Sequence, residues 1–268
     1  MKIKQVFLLA GIILILAWGP AEAGKSLYLP LIFKNACTNF TFLAFGDSIT
    51  TGYGSVIPPN DWYSIPHSGY VGRLYDDLHS LFPRQDISFY NMGKGGETTD
   101  SGSVRFGPTI SQLACYTASG CKYPVGHAEV LPTLILIMEG TNDLNSSKSF
   151  DTIDLNLRAM VSTALLYDYK VMIATIPPVC NSLITLNGDS FFSQIESFNN
   201  QQITKIASDY QIPLVDVFAY FLSNREWESQ LMYSDCEHPN DAGYEVIKQA
   251  FLDQIKTRMT PNGCYISP

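Results

Sequence analysis

The feature that most constrains this 268-residue chain is an alternation. Five short runs of apolar, β-branched or aromatic residues, at 40–45, 87–90, 134–138, 171–176 and 214–218, are separated by stretches with helical spacing. Most of the runs are apolar on successive residues, as strands buried on both faces have to be. Between them, Val71, Leu74, Leu78 and Leu81 precede Pro83, Ile153, Leu157, Met160, Val161 and Leu165 follow at one-face intervals, and Phe192, Ile195, Phe198, Ile203 and Ile206 predict a third helix. A last amphipathic helix carries Val246, Ile247, Ala250, Phe251 and Ile255, with Asn240 or Asp241 placed to cap it. Residues 101–130 are expected to hold one short helix and a loop. Parallel strands need crossover connections, so the alternation predicts a parallel sheet with helices on both faces. In such sheets ligands sit at the carboxyl ends of the strands, and the loops found there are where chemistry is to be sought.

With 46% hydrophobic and 16% charged residues the chain can fill a large core. Its 17 Lys and Arg against 25 Asp and Glu give a formal charge of -8, which opposes sequence-independent binding to nucleic-acid phosphates or anionic lipid. No linker-like stretch or internal repeat divides it, so one domain is expected. At the start, Lys2 and Lys4 precede an apolar run over 6–18 and the small-x-small triplet Ala21-Glu22-Ala23, the order of a cleaved export signal. The run is short of the ~20 residues a spanning helix needs. The expected division is therefore a signal peptide over 1–23, an N-terminal segment over 24–38 and a single domain over 39–268. The product would be secreted, extracellular or periplasmic, with no stable membrane span after cleavage.

Export changes the meaning of the six cysteines, since thiols pair in an oxidising compartment. Six cysteines allow 15 connectivities. The expected one joins Cys115 to Cys121 across a loop, Cys37 to Cys264 near the two ends, and Cys180 to Cys236. Zinc is the rival reading, but no C-x-x-C or H-x-x-x-H pair supports it, and no metal is expected.

Four segments fall at the expected strand ends. Gly46-Asp47-Ser48-Ile49-Thr50 follows the first run, Asn91-Met92-Gly93-Lys94-Gly95-Gly96-Glu97 the second and Gly140-Thr141-Asn142-Asp143 the third, while Asp235-Cys236-Glu237-His238-Pro239 precedes the last helix. Acyl transfer requires such a set. A serine hydroxyl is a poor nucleophile until an imidazole takes its proton, and the imidazole needs an acceptor on its other nitrogen to fix the tautomer. Ser48, His238 and Asp235 can fill those roles. The backbone N–H groups of Ser48 and Gly96 and the amide of Asn142 can serve as donors to the oxyanion of a tetrahedral intermediate. Singly, each motif reads as an ordinary turn or helix cap; their joint occurrence points to catalysis.

These four blocks resemble the GDSL esterases and lipases of the SGNH hydrolase superfamily, in that family's order, from Phe40 to about Lys256. The resemblance implies a three-layer α/β/α sandwich around five parallel strands, of flavodoxin-like type, with no metal and no cofactor. It assigns the nucleophile to Ser48, the oxyanion hole to Ser48, Gly96 and Asn142, and the D-x-x-H pair to Asp235 and His238. No G-x-S-x-G occurs, which argues against the α/β-hydrolase elbow. Ile49 stands where the family name has Leu, and Cys236 and the long stretch 51–67 are further departures.

The expected activity is a secreted serine esterase working through an acyl-enzyme, on acetylated carbohydrate or other small esters. Lysophospholipid or lipid hydrolysis and acyl transfer to an alcohol are the alternatives with the same site. Outside enzymes, the competing class is a sugar-binding or adhesion protein on an inactive scaffold, against which the intact set of site residues speaks. Tyr53, Trp62 and Tyr63, with Tyr70 beside them, read equally as loop packing or as an aromatic wall for substrate. Asp47 is expected to organise its own loop. Glu237 is a rival orienter weakened by its adjacency to His238, and His67, His79 and His127 have no partner pattern.

Overall fold

A strand that is apolar at every position needs a packed layer on each side, and β3 (Leu134–Met138) is buried at all five of its residues. A computed structural model describes residues 39–53, 69–115, 134–260 and 265, with the backbone alone at 39 and 112–115. Trp62, Tyr63, His67, His127, Cys37, Cys121, Cys264 and residues 1–23, with the expected export signal, lie outside the described residues, as does the side chain of Cys115.

Among these, five strands form one all-parallel sheet in the order β2-β1-β3-β4-β5. They are β1 (Asn39–Gly46), β2 (Asp86–Gly93), β3, β4 (Lys170–Ala174) and β5 (Leu214–Val215). Alternation along each strand divides the core in two. Phe40, Phe42 and Ala44 of β1 join Leu134, Leu136 and Met138 of β3 beneath α2 (Gly69–Leu81), α8 (Val217–Leu222) and α10 (Asp241–Lys256). Leu43 and Phe45 point the other way with Ile135 and Ile137, beneath α3 (Thr99–Cys115), α5 (Phe150–Leu166), α6 (Phe191–Phe198) and α7 (Thr204–Asp209). The result is the three-layer α/β/α sandwich.

Strand order places the site. From β1 the chain moves to one side to make β2, then crosses to the other side for β3, so the crevice between those loops opens at the carboxyl end of β1. Two short helices follow the strands at this edge, α1 (Ser48–Thr51) after β1 and α4 (Thr141–Asn145) after β3, and a third, α9 (Trp227–Leu231), precedes the segment that leads into α10. Each is too short to leave a periodic signal. No helix of the described residues is long and apolar enough to cross a membrane.

Three elements differ from expectation. The run 214–218 is strand only at Leu214 and Val215, because Asp216 accepts the Ala219 N–H at 3.1 Å and starts α8, which takes Val217 and Phe218 into a helix. The helix expected over 192–206 is interrupted by a π-turn, Asn199–Ile203. There the buried Asn199 amide accepts the Ile176 N–H at 2.9 Å and donates to the Ile176 carbonyl at 2.8 Å, docking the helix to the loop after β4. In place of a short helix, α3 runs for 17 residues despite Pro108, with Phe106 and Ile110 buried against the sheet.

Phe45 is fully buried, with its ring edge-to-face on Phe106 at 4.9 Å and the Arg105 guanidinium 4.0 Å from its centroid. Phe45→Ala is expected to cost about 3 to 5 kcal/mol of unfolding free energy, measured by urea denaturation. A loss below about 1 kcal/mol would contradict this packing.

Candidate active site

Ser48 begins α1 directly beyond the sheet edge. Gly46 makes that possible, because a Cβ there would collide with the Met138 carbonyl oxygen and the Thr50 hydroxyl. Asp47 caps the helix, its Oδ1 accepting the Ile49 N–H at 2.9 Å, so it organises its own loop as expected of it. Asn91 at the end of β2 donates its amide to the Thr50 carbonyl at 2.9 Å, fixing α1 to the sheet.

The segment before α10 reaches this hydroxyl from the other end of the chain. Ser48 Oγ lies 2.8 Å from His238 Nε2, and His238 Nδ1 lies 2.8 Å from Asp235 Oδ2. With Asp235 ionised, the imidazole proton belongs on Nδ1, leaving Nε2 to accept from the serine. Asp235 Oδ1 also accepts the N–H groups of Glu237 at 3.0 Å and His238 at 2.9 Å. Burial works to raise the Asp235 carboxyl, but these donors and the nearby imidazole outweigh it and hold the group below its ordinary value. It is thus ionised when the site works. Asp235 takes the place at Nδ1 and Glu237 does not. Asn240 caps α10, accepting the Gly243 N–H at 3.1 Å, while its amide donates to the Gln230 and Met232 carbonyls. Cys236 is joined to Cys180 by a disulfide, the one pairing that falls wholly among residues whose side chains are described.

The loop after β2 brings in Gly96 at φ +72°, with nothing within 4 Å of where a Cβ would stand. A left-handed backbone there suits glycine and leaves its surroundings open. Asn142, on α4, donates one amide N–H to the Glu97 carbonyl at 2.9 Å, which orients the carboxamide and leaves its second N–H to offer. Neighbours that sequence reasoning passed over fix this pair. The Glu97 carboxylate is buried and held by Arg105, whose Nη2 also donates to the Met92 carbonyl at 2.9 Å. The buried Asp143 accepts from the Thr99 N–H at 2.7 Å and hydroxyl at 2.8 Å, tying the loop after β3 to the start of α3. The signal for both was an acid beside each candidate oxyanion residue.

Tyr53 lies at the site, its ring centroid 4.4 Å from that of His238 and its side 55% exposed. Tyr70 does not: it is fully buried and stacked on Phe251 at 5.1 Å, a core residue. His79 sits against Tyr75 on α2. Among the described residues no group of three or more His, Cys, Asp or Glu is placed to hold a metal ion.

Two buried acids lie beneath these loops with unsatisfied oxygens. Burial pushes Glu139 well up, helped by the charges of Asp47, Glu97 and Asp143, which favours its neutral form. Burial likewise raises Asp47 to about 6, against the lowering effect of the Ile49 N–H and the Thr141 hydroxyl. The folded state therefore binds the Asp47 proton more tightly than the unfolded chain, and this group's contribution to stability falls as pH rises through about 4 to 6. Asp47→Asn keeps the cap acceptor without the charge. Relative to wild type, the variant is expected to gain on the order of 2 to 3 kcal/mol between pH 4 and pH 8, read from paired denaturation curves. A pH-independent difference would contradict the assignment.

With this geometry in view, the likeness to known proteins has a physical basis. The profile of the GDSL-like lipase/acylhydrolase family matches residues 44–246, a range that includes Ser48, Gly96, Asn142, Asp235 and His238. Among solved structures, a lipase/acylhydrolase from Enterococcus faecalis superposes with a TM-score of 0.64 at 18% identity, covering 84% of this chain and 100% of that one. An acetylxylan esterase from Geobacillus stearothermophilus gives 0.61 at 21% identity, covering 80% and 93%. A psychrotrophic esterase from Pseudoalteromonas sp. gives 0.57 at 23%, covering 81% and 97%. No curated protein sequence matches the chain significantly. At these identities the structures establish the shared fold, and it is the family profile that places the chain among the GDSL-like lipases and acylhydrolases, as a carboxylic ester hydrolase.

Proposed function

We propose that this hydrolase is a secreted serine esterase that forms an acyl-enzyme on Ser48 and removes acetyl groups from carbohydrate. The observation that carries the reading is the unbroken relay Ser48 Oγ, His238, Asp235, with both contacts at 2.8 Å. As Oγ attacks the ester carbonyl, His238 Nε2 takes its proton. The resulting oxyanion is received by the N–H groups of Ser48 and Gly96 and the amide of Asn142. Collapse expels the alcohol, to which His238 returns the proton. Water then attacks the acyl-enzyme, His238 accepts its proton, and the acid leaves with Ser48 restored. Asp235 holds the ring and steadies its positive charge in both halves.

Secretion is supported by the export-like sequence over 1–23 and by a disulfide, a bond that persists in oxidising compartments. Carbohydrate as the alcohol half is supported by the exposed Tyr53 ring beside His238, since aromatic faces pack against sugar rings, and it agrees with the acetylxylan esterase that shares the fold.

Ser48→Ala is expected to abolish hydrolysis of p-nitrophenyl acetate and of acetylated xylan while leaving the circular dichroism spectrum unchanged. Asn142→Ala is expected to lower kcat by about 10²- to 10³-fold with little change in KM. Release of acetate from acetylated xylan is the substrate test. Hydrolysis of lysophospholipid at a higher kcat/KM would reverse the substrate assignment, and full activity in Ser48→Ala would end the mechanism.

A further inference from the structure

Cys236 stands between the acid and the base of the relay, and its backbone φ is +62°, a left-handed conformation unfavourable for a residue with a Cβ. That turn folds the Asp235 carboxylate back onto the N–H groups of Glu237 and His238 and brings Oδ2 against the imidazole. Most other hydrogen bonds of the segment stay close in sequence. The Cys236 N–H donates to the Tyr233 carbonyl at 2.9 Å and the Tyr233 N–H to the His238 carbonyl at 2.8 Å. The firm connection to the sheet edge runs through Cys180, 2% exposed in the loop after β4. Its sulfur is bonded to that of Cys236 and its N–H donates to the Cys236 carbonyl at 2.9 Å.

We infer that the Cys180–Cys236 bridge is a positioning element of the active site: it anchors the left-handed turn to the loop after β4 and thereby keeps Asp235 on His238 Nδ1. The inference rests on the reading of Ser48, His238 and Asp235 as the catalytic relay. The competing account is that the bridge merely stabilises the whole fold by closing a loop of 56 residues. The two differ in what happens when Asp235 no longer functions. A positioning bridge acts through Asp235, so the two losses are not additive, whereas a general stabiliser gives independent losses.

The experiment is a double-mutant cycle on folded protein, checked by circular dichroism and run well below the unfolding temperature. It compares wild type, Cys180→Ala/Cys236→Ala, Asp235→Asn and the combined variant. The readouts are kcat and KM with p-nitrophenyl acetate and the rate of Ser48 modification by a fluorophosphonate. Removal of the bridge is expected to lower kcat about tenfold or more with KM within about threefold, and to cost less than about twofold in the Asp235→Asn background. Equal losses in the two backgrounds, or no loss in wild type, would overturn the inference. If the cysteine pair variant does not fold, wild-type enzyme is reduced with a phosphine and its thiols capped under native conditions. Lost turnover with retained circular dichroism then supports the bridge's role, and retained turnover, or loss in step with the fold, refutes it. A wild-type enzyme that the fluorophosphonate does not label overturns the Ser48 reading and this inference with it. A labelled wild type with equal losses in both backgrounds overturns the bridge's role alone.

Discussion

A hydrogen bond of 2.8 Å between side chains 190 positions apart in the sequence, Ser48 and His238, is the contact that the rest of the arrangement exists to hold. It joins the loop after the first strand to the segment before the last helix, so neither end of the fold can shift without breaking it. The sheet supplies the common frame. Gly46 lets β1 end flush against β3, Asp47 starts α1 at the serine, and Asn240 starts α10 just beyond the histidine while gripping the chain at Gln230 and Met232. Each is a local device with a small energy, and together they fix one distance.

The polar interior behind the site follows a different logic. Glu97, Asp143, Asp47 and Glu139 are all buried around the loops that end β1, β2 and β3, and four carboxylates cannot stay ionised there without compensation. Arg105 and Lys94 compensate Glu97, Thr99 and Lys148 compensate Asp143, and the other two keep their protons more tightly. The satisfied pair ties down the loops carrying Gly96 and Asn142, the proposed oxyanion donors, and preorganised donors of that kind are what the proposed mechanism calls for. The raised pair gives the region a charge that depends on pH.

Much of this was legible in the residues. Buried strands are apolar at successive positions, so β1, β3 and β4 announced themselves, and acyl transfer needs residue types rare enough in combination that Ser48, Asn142, Asp235 and His238 stood out. What was hidden depends on competition between nearby signals. The apolar run 214–218 reads as strand until one sees that Asp216 can cap a helix inside it. The helix over 192–206 reads as continuous until Asn199 is found clasping the Ile176 backbone. Glu97, Asp143 and Glu139 look like surface acids in sequence, because only the folded chain shows that Arg105, Thr99 and the crossing of three loops enclose them. Tyr53 and Tyr70 are the same residue type on either side of residues 54–68, and packing against Phe251 sends one inward while the other faces His238.

The central claim is that imidazole at 238 activates the hydroxyl at 48 for covalent attack. Rapid-quench mass spectrometry of the enzyme mixed with p-nitrophenyl acetate tests it most directly. One acetyl group is expected on the peptide containing Ser48 before steady state is reached, and none in that time when His238 is replaced by Ala. An acetyl group mapped to another residue, or undiminished acetylation of Ser48 without the imidazole, would contradict the account.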